Sequence, residues 1–235
     1  MFQSSKGPIV KLCCDRQLLS GMGGPVARSR TSKTKEEPAA APLELADVKE
    51  RALLDATIRL LGRGGLALVT HRGVAREAGV SLGVVTYRYG TIDLLLAAAV
   101  DYLCGAELTE LTALADALTR GGFDPVVWST AFAKALAGNV RRQREREIAS
   151  FELTLAAARH PHLRRAWRAP DEAYCRLASV VLRSAGSRDP DRQARTLVAA
   201  ITGLELRQLS DPRPHFEEEL ALALRDLVTG LVCTG

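Results

Sequence analysis

Proline does not occur between Leu43 and Asp124. Nothing in that stretch removes a backbone donor or clashes with a preceding turn, so long helices can run there. Aromatic residues make up only 5% of the chain, and a core must be assembled from Leu, Ala and Val. Ala and Leu in particular favour helix. The cysteines (Cys13, Cys14, Cys104, Cys175 and Cys233) are odd in number and contain no Cys-x-x-Cys pair. That pattern suits neither a disulfide framework nor a zinc knuckle, and fits free thiols in a reducing cytoplasm. No apolar run reaches the roughly 18–20 residues needed to cross a bilayer. The opening residues, MFQSSKGPIVKLCC, lack the basic and apolar regions of a secretion signal. The expectation is a cytoplasmic protein with no membrane partner. No Gly-rich phosphate loop, nucleophile elbow, metal-binding helix or paired-carboxylate arrangement stands out. No catalytic residue and no cofactor are expected.

What is present is ordinary for a folded domain: 47% hydrophobic and 25% charged residues in a chain of 235. The formal net charge is +5, and the pI of about 9.1 suits an anionic partner such as nucleic acid. Residues 1–42 are rich in Gly, Ser, Pro and scattered charge, as in GMGGPVARSRTSKTKEEPAAAP. Such a segment buries too little apolar surface to offset the entropy of ordering, and a disordered arm is expected. Its Arg28, Arg30, Lys33 and Lys35 fit either a solvated tail or an arm on DNA. Translation beginning nearer Met22 is an alternative origin for the segment.

Beyond it, apolar spacing and end signals predict an all-α chain. Helices are expected over about 47–62, 71–78, 82–88, 91–118, 125–138, 141–159, 162–185, 190–209 and 215–232. Asp47 is a candidate cap for the first, and a kink is expected at Pro170. The β-friendly run LALVT at 66–70 is too short and unpartnered to be a strand.

The informative segment is THRGVAREAGVSLGVVTYRYG, residues 70–90. Two short helices must meet at a sharp angle. Ala75 is small where they pack, and Gly79 supplies the positive φ that the turn needs. Val74, Ala78, Val80 and Val85 flank the turn as buried positions. Ser81, Thr86, Tyr87 and Arg88 remain to face outward. This is a helix-turn-helix at 70–89, whose second helix is suited to a DNA major groove.

The approach ALLDATIRLLGRGGLALVT, then VAREAGVSLG, then TYRYGTIDLLL resemble the N-terminal DNA-binding domain of the TetR family. The resemblance covers residues 47–107 and leaves 108–235 as a helical ligand-binding and dimerisation domain. It implies that Thr70 caps the second helix and Ser81 the recognition helix. It also implies that Leu82, Gly83 and Val84 face the groove, Val84 towards a thymine methyl. Tyr87 and Arg88 would mostly hold phosphates, Arg88 also reaching a guanine edge, and Arg72 and Thr86 complete the DNA-binding set. Tyr89 stands where the family usually has a buried Phe. Two positions depart from the common pattern: Thr86 where most members have Tyr, and Ile92 where many have a phosphate-contacting Lys.

The resemblance further implies a homodimer on a palindromic operator in double-stranded DNA, released by an unidentified small-molecule effector. One recognition helix reads too few base pairs alone, and two-fold dimers match palindromes. The segment ARTLVAAITGLELRQL, with small Ala199, Ala200 and Gly203, and the stripe Leu220, Leu224, Leu227 and Leu231 are candidates for the dimer face. Burial inside the monomer is the other reading. Trp128, Phe132, Phe151, Glu152, Leu155, Trp167 and Tyr174 are candidate ligand contacts, or plain core. The mixed-charge run RRQRERE at 141–147 reads as a solvated face. His160-Pro-His162 has no nearby cysteine, and no metal is expected there. The alternatives to a ligand-responsive regulator are a small-molecule-binding dimer that has lost DNA binding, which Ile92 favours, and an all-α enzyme.

Overall fold

The structure, a computed structural model, describes residues 42–120 and 123–233. The basic arm expected before Pro42 lies outside the described residues. Every regular element among the described residues is helical. In chain order these are α1 (Pro42–Gly64), a short 3-10 turn (Leu66–Leu68), α2 (His71–Ala78), α3 (Leu82–Arg88) and α4 (Ile92–Arg120). There follow α5 (Pro125–Arg142), α6 (Arg144–Ala157), α7 (Pro161–Ala166), α8 (Arg168–Ser184), α9 (Pro190–Ser210) and α10 (Phe216–Cys233). No helix is long and apolar enough to cross a membrane among the described residues.

Two local expectations need correction. α1 opens at Pro42, because proline at the first helical position gives up a donor that has no partner there anyway. Asp47 therefore sits inside the helix and caps nothing. The segment LALVT forms no strand, as expected, and contributes the 3-10 turn. The helix expected over 162–185 breaks at Trp167, not at Pro170. Pro170 lies in the first turn of α8, where amides have no intrahelical acceptor and its missing N–H costs nothing.

The helices bury two hydrophobic cores. The first gathers Leu53, Ala56 and Leu61 of α1, Val74 and Ala75 of α2, Val85 of α3, and Leu95, Leu96 and Ala99 of α4. It also takes in Ala149, Leu153 and Ala156 of α6 and Leu163 of α7. The second joins Trp128, Phe132 and Leu136 of α5 to Leu177 and Val181 of α8, Leu197 of α9, and Leu220 and Leu224 of α10. The expected boundary at 107/108 falls inside α4, which is continuous through it.

The α1–α6 crossing is unusually close. A Cβ added to Gly62 would lie 2.1 Å from the Glu145 carbonyl oxygen, a backbone atom that cannot swing aside. Gly62→Ala must push the two helices apart, and overpacking of this kind costs about 1–3 kcal/mol. The expected outcome is a lower denaturant midpoint at unchanged m-value.

Candidate nucleic-acid interface and ligand cavity

The corner between α2 and α3 is built from local hydrogen bonds. Thr70, extended at φ −125°, accepts from the Gly73 amide at 2.9 Å and so caps α2. At the other end Gly79 turns left-handed with φ 68° and ψ 30°. The Val80 amide then reaches back to the Ala75 carbonyl at 3.0 Å, closing the orphan carbonyls of the helix. Ser81 occupies the cap position of α3 in extended geometry, but its side chain makes no capping bond. The implied Ser81 cap is thus positional only; the backbone bond from the Val84 amide to the Ser81 carbonyl starts the helix at 3.1 Å.

α3 is held from behind and open in front. Val85 is fully buried in the first core, and Val84 is half-buried against it. Leu82, Gly83, Thr86, Tyr87 and Arg88 are exposed, Tyr87 at 93%. The Thr86 hydroxyl donates to the Leu82 and Gly83 carbonyls at 3.1 and 3.3 Å. Arg72 is exposed on α2. His71 Nε2 lies 2.8 Å from the Tyr89 carbonyl and joins the start of α2 to the end of α3. Arg59 of α1 donates to Glu77 of α2 at 2.6 Å, and this bond is the chief reason the Glu77 carboxyl titrates below its ordinary range.

Arg88 is not free. Its guanidinium pairs with Glu50 of α1, whose other oxygen accepts from the buried Tyr89 hydroxyl at 3.0 Å. Burial, and then the Glu50 carboxylate, push the Tyr89 phenol up to about 12. Ile92 packs its side chain on the first core. Sequence reasoning had no signal for the Glu50 contact, because the pair is separated by the whole of the corner.

A cavity of about 470 Å³ is bounded by α4, α5, α6, α7, α8 and α9. Of the candidate ligand contacts, Trp128, Phe132, Phe151, Trp167 and Tyr174 line it. Trp128 and Phe132 stack with centroids 5.2 Å apart. Glu152 and Leu155 do not line it, for a reason of helical phase. At about 100° per residue, α6 turns Glu147, Ser150, Phe151 and Thr154 to the cavity and Ala149, Leu153 and Ala156 to α1. Glu152 and Leu155 fall between these faces. The Glu152 carboxylate lies against Gly65, and Leu155 is 55% exposed. Missed from the sequence were the α9 residues Leu197, Val198, Ile201, Thr202 and Glu205, which close the cavity from the far side. The indole N–H of Trp167 is buried with no hydrogen-bond partner among the described residues.

On α9 and α10, Ala200, Gly203, Leu227, Gly230 and Leu231 line a shallow apolar groove at the surface. Leu206 and Leu222 are also exposed, at 48% and 52%. Leu220 and Leu224, which the stripe on α10 placed at a dimer face, are instead buried in the second core against α5.

Comparison with known proteins accounts for both halves. Residues 53–99 match the family model of bacterial regulatory proteins of the tetR family. Residues 129–232 match the tetracyclin repressor-like C-terminal domain. A search among curated proteins finds no match. Among solved structures, a TetR-family member from Streptomyces coelicolor is 31% identical with a TM-score of 0.62, covering 78% of this chain and 98% of that one. The multidrug binding protein EbrR in complex with ethidium is 31% identical with a TM-score of 0.60, covering 78% of this chain and 98% of that one. A transcriptional regulator from Rhodococcus is 26% identical with a TM-score of 0.65, covering 79% and 96%. An outward-facing helix after a glycine corner, two matched family models and a relative aligned over nearly its whole length agree: the chain belongs to the TetR family of DNA-binding transcriptional regulators.

Proposed function

We propose that this protein is a repressor that binds a palindromic operator as a homodimer and leaves it when a small molecule fills the cavity. The observation that carries the reading is the shape of α3. Val85 anchors it with Val84 half-buried beside it, and the rest of the helix presents Leu82, Gly83, Thr86 and Tyr87 to solvent. A helix so mounted enters a major groove without disturbing the core behind it. The groove on α9 and α10 is the surface for the second copy. The ligand is a flat aromatic molecule with a hydrogen-bond acceptor. Stacked Trp128 and Phe132 suit the ring, the Trp167 N–H lacks a partner, and 470 Å³ is within the range of drug-sized sites. EbrR, of the same fold, is described in complexes with ethidium, malachite green and proflavin. α6 connects the two sites, with its cavity face on one side and its α1 face on the other. A ligand that prefers a different α6 position shifts the readers by its difference in affinity for the two states.

The test is binding to the DNA flanking the protein's own gene across a salt series. Affinity falling steeply with salt, with protection of two half-sites, supports the reading; salt-insensitive or absent binding removes it. Thermal shift with malachite green, free of DNA, tests the cavity. A second reading, a ligand-binding dimer without DNA binding, is favoured by Ile92 alone, whose apolar side chain is turned to the core. Glu50→Gln separates the two. Releasing Arg88 adds one cation to the DNA-facing surface, so operator affinity should rise several-fold and the salt slope steepen by about 0.9. A chain without DNA function shows no such change.

A further inference from the structure

We propose that Asp93, His160 and His162 form a binding site for a divalent transition metal of the zinc class, which clips the start of α4 to the junction of α6 and α7. The sequence shows only two histidines around a proline. The fold supplies the third group: Asp93, in the first turn of α4, is brought against both rings. Its Oδ1 lies 3.3 Å from His162 Nε2 and 3.9 Å from His160 Nδ1, and one ligand atom from each of the three residues falls within 4.8 Å of the others. Tetrahedral zinc with bonds of about 2.0–2.1 Å places neighbouring ligand atoms roughly 3.3–3.5 Å apart. The observed spacing needs only small side-chain adjustment to meet that.

The second observation is an orphan. His162 Nε2 is buried and makes no hydrogen bond among the described residues; the Asp93 Oδ1 at 3.3 Å meets it as an ion-pair contact without hydrogen-bond alignment. A buried ring nitrogen without a bond is costly, and a metal ion at the centre of the triangle would satisfy it. The donor set is two imidazoles and one carboxylate. That favours zinc and its neighbours over calcium or magnesium, which prefer all-oxygen shells. Asp93 is exposed, which leaves room for water as a fourth ligand. Arg164 is the nearest cation on α7 by sequence, and its guanidinium is turned back to the Ala157 and Ala158 carbonyls at 3.4 and 3.1 Å. The inference needs neither DNA nor a cavity ligand, so its failure leaves the regulator reading untouched.

The test uses the full chain, stripped with EDTA and titrated with zinc and with cobalt. Expected are one ion per chain, a thermal midpoint that rises with zinc concentration, and visible cobalt d–d bands without thiolate charge transfer, since no cysteine takes part. Asp93→Asn and His162→Gln should each weaken zinc binding roughly tenfold or more. His160→Gln, at a partly exposed ring, keeps the proposal testable if His162→Gln does not fold. His215→Gln, on a distant histidine, should bind as the parent does. Zinc uptake that is absent, that survives all three ligand substitutions, or that shows thiolate bands with cobalt overturns the proposal.

Discussion

Gly83→Leu is expected to abolish operator binding while leaving the fold intact. A Cβ at this position meets only the Ser81 Oγ, at 3.9 Å, so a larger side chain projects into open space. Helix propensity even favours the change, since Gly in a helix is worse than Leu by up to about 1 kcal/mol. The thermal midpoint should stay level or rise slightly. On the proposed reading DNA binding depends on the opposite property: the absent side chain would let the α3 backbone approach the groove floor. An isobutyl group there holds the helix off its base edges, and affinity should fall at least about 100-fold, or about 2.7 kcal/mol. Fluorescence anisotropy on the flanking DNA, paired with a melting curve, reads both effects. Parent-like affinity in a folded Gly83→Leu chain would show that α3 is not the reader.

The second large effect is expected from Gly203→Arg on α9. Here too no atom lies within 4 Å of an added Cβ, so the monomer should accept the side chain. In a two-fold interface every substitution enters twice, and a residue beside the axis lies near its own counterpart. One substitution therefore places two guanidinium groups where small residues would let the helices close. Desolvated like charges cost several kcal/mol across an interface. Sedimentation should show a monomer at concentrations where the parent is dimeric, and operator binding should fall with it because a single half-site is too short to hold. A Gly203→Arg dimer as tight as the parent would place the interface elsewhere.

The corner and the reader were largely legible because their physics is local. Thr70 as a cap and Gly79 as a left-handed turn follow from residue type and spacing alone, and both are found. The boundaries of α2 and α3 were read to the residue. What stayed hidden depends on distant contacts. The Glu50 carboxylate that holds Arg88 comes from a helix well upstream. Glu152 is a candidate ligand contact by sequence, yet helical phase turns it towards Gly65 rather than the cavity. Leu220 and Leu224 keep a clean stripe, but a stripe does not say whether its partner is α5 or a second copy. The histidines at 160 and 162 have no cysteine near them in sequence, and no local pattern announces that Asp93 arrives beside them.

α6 has a practical consequence for anyone who would retune this protein as a biosensor. Its cavity-lining positions, such as Ser150, Phe151 and Thr154, are separate from the alanines and Leu153 that pack in the first core with α1. On the proposed reading, libraries confined to the former would search for new inducers while the α1 contacts stay unchanged. Variation at the latter would change output gain instead, whatever molecule is sensed.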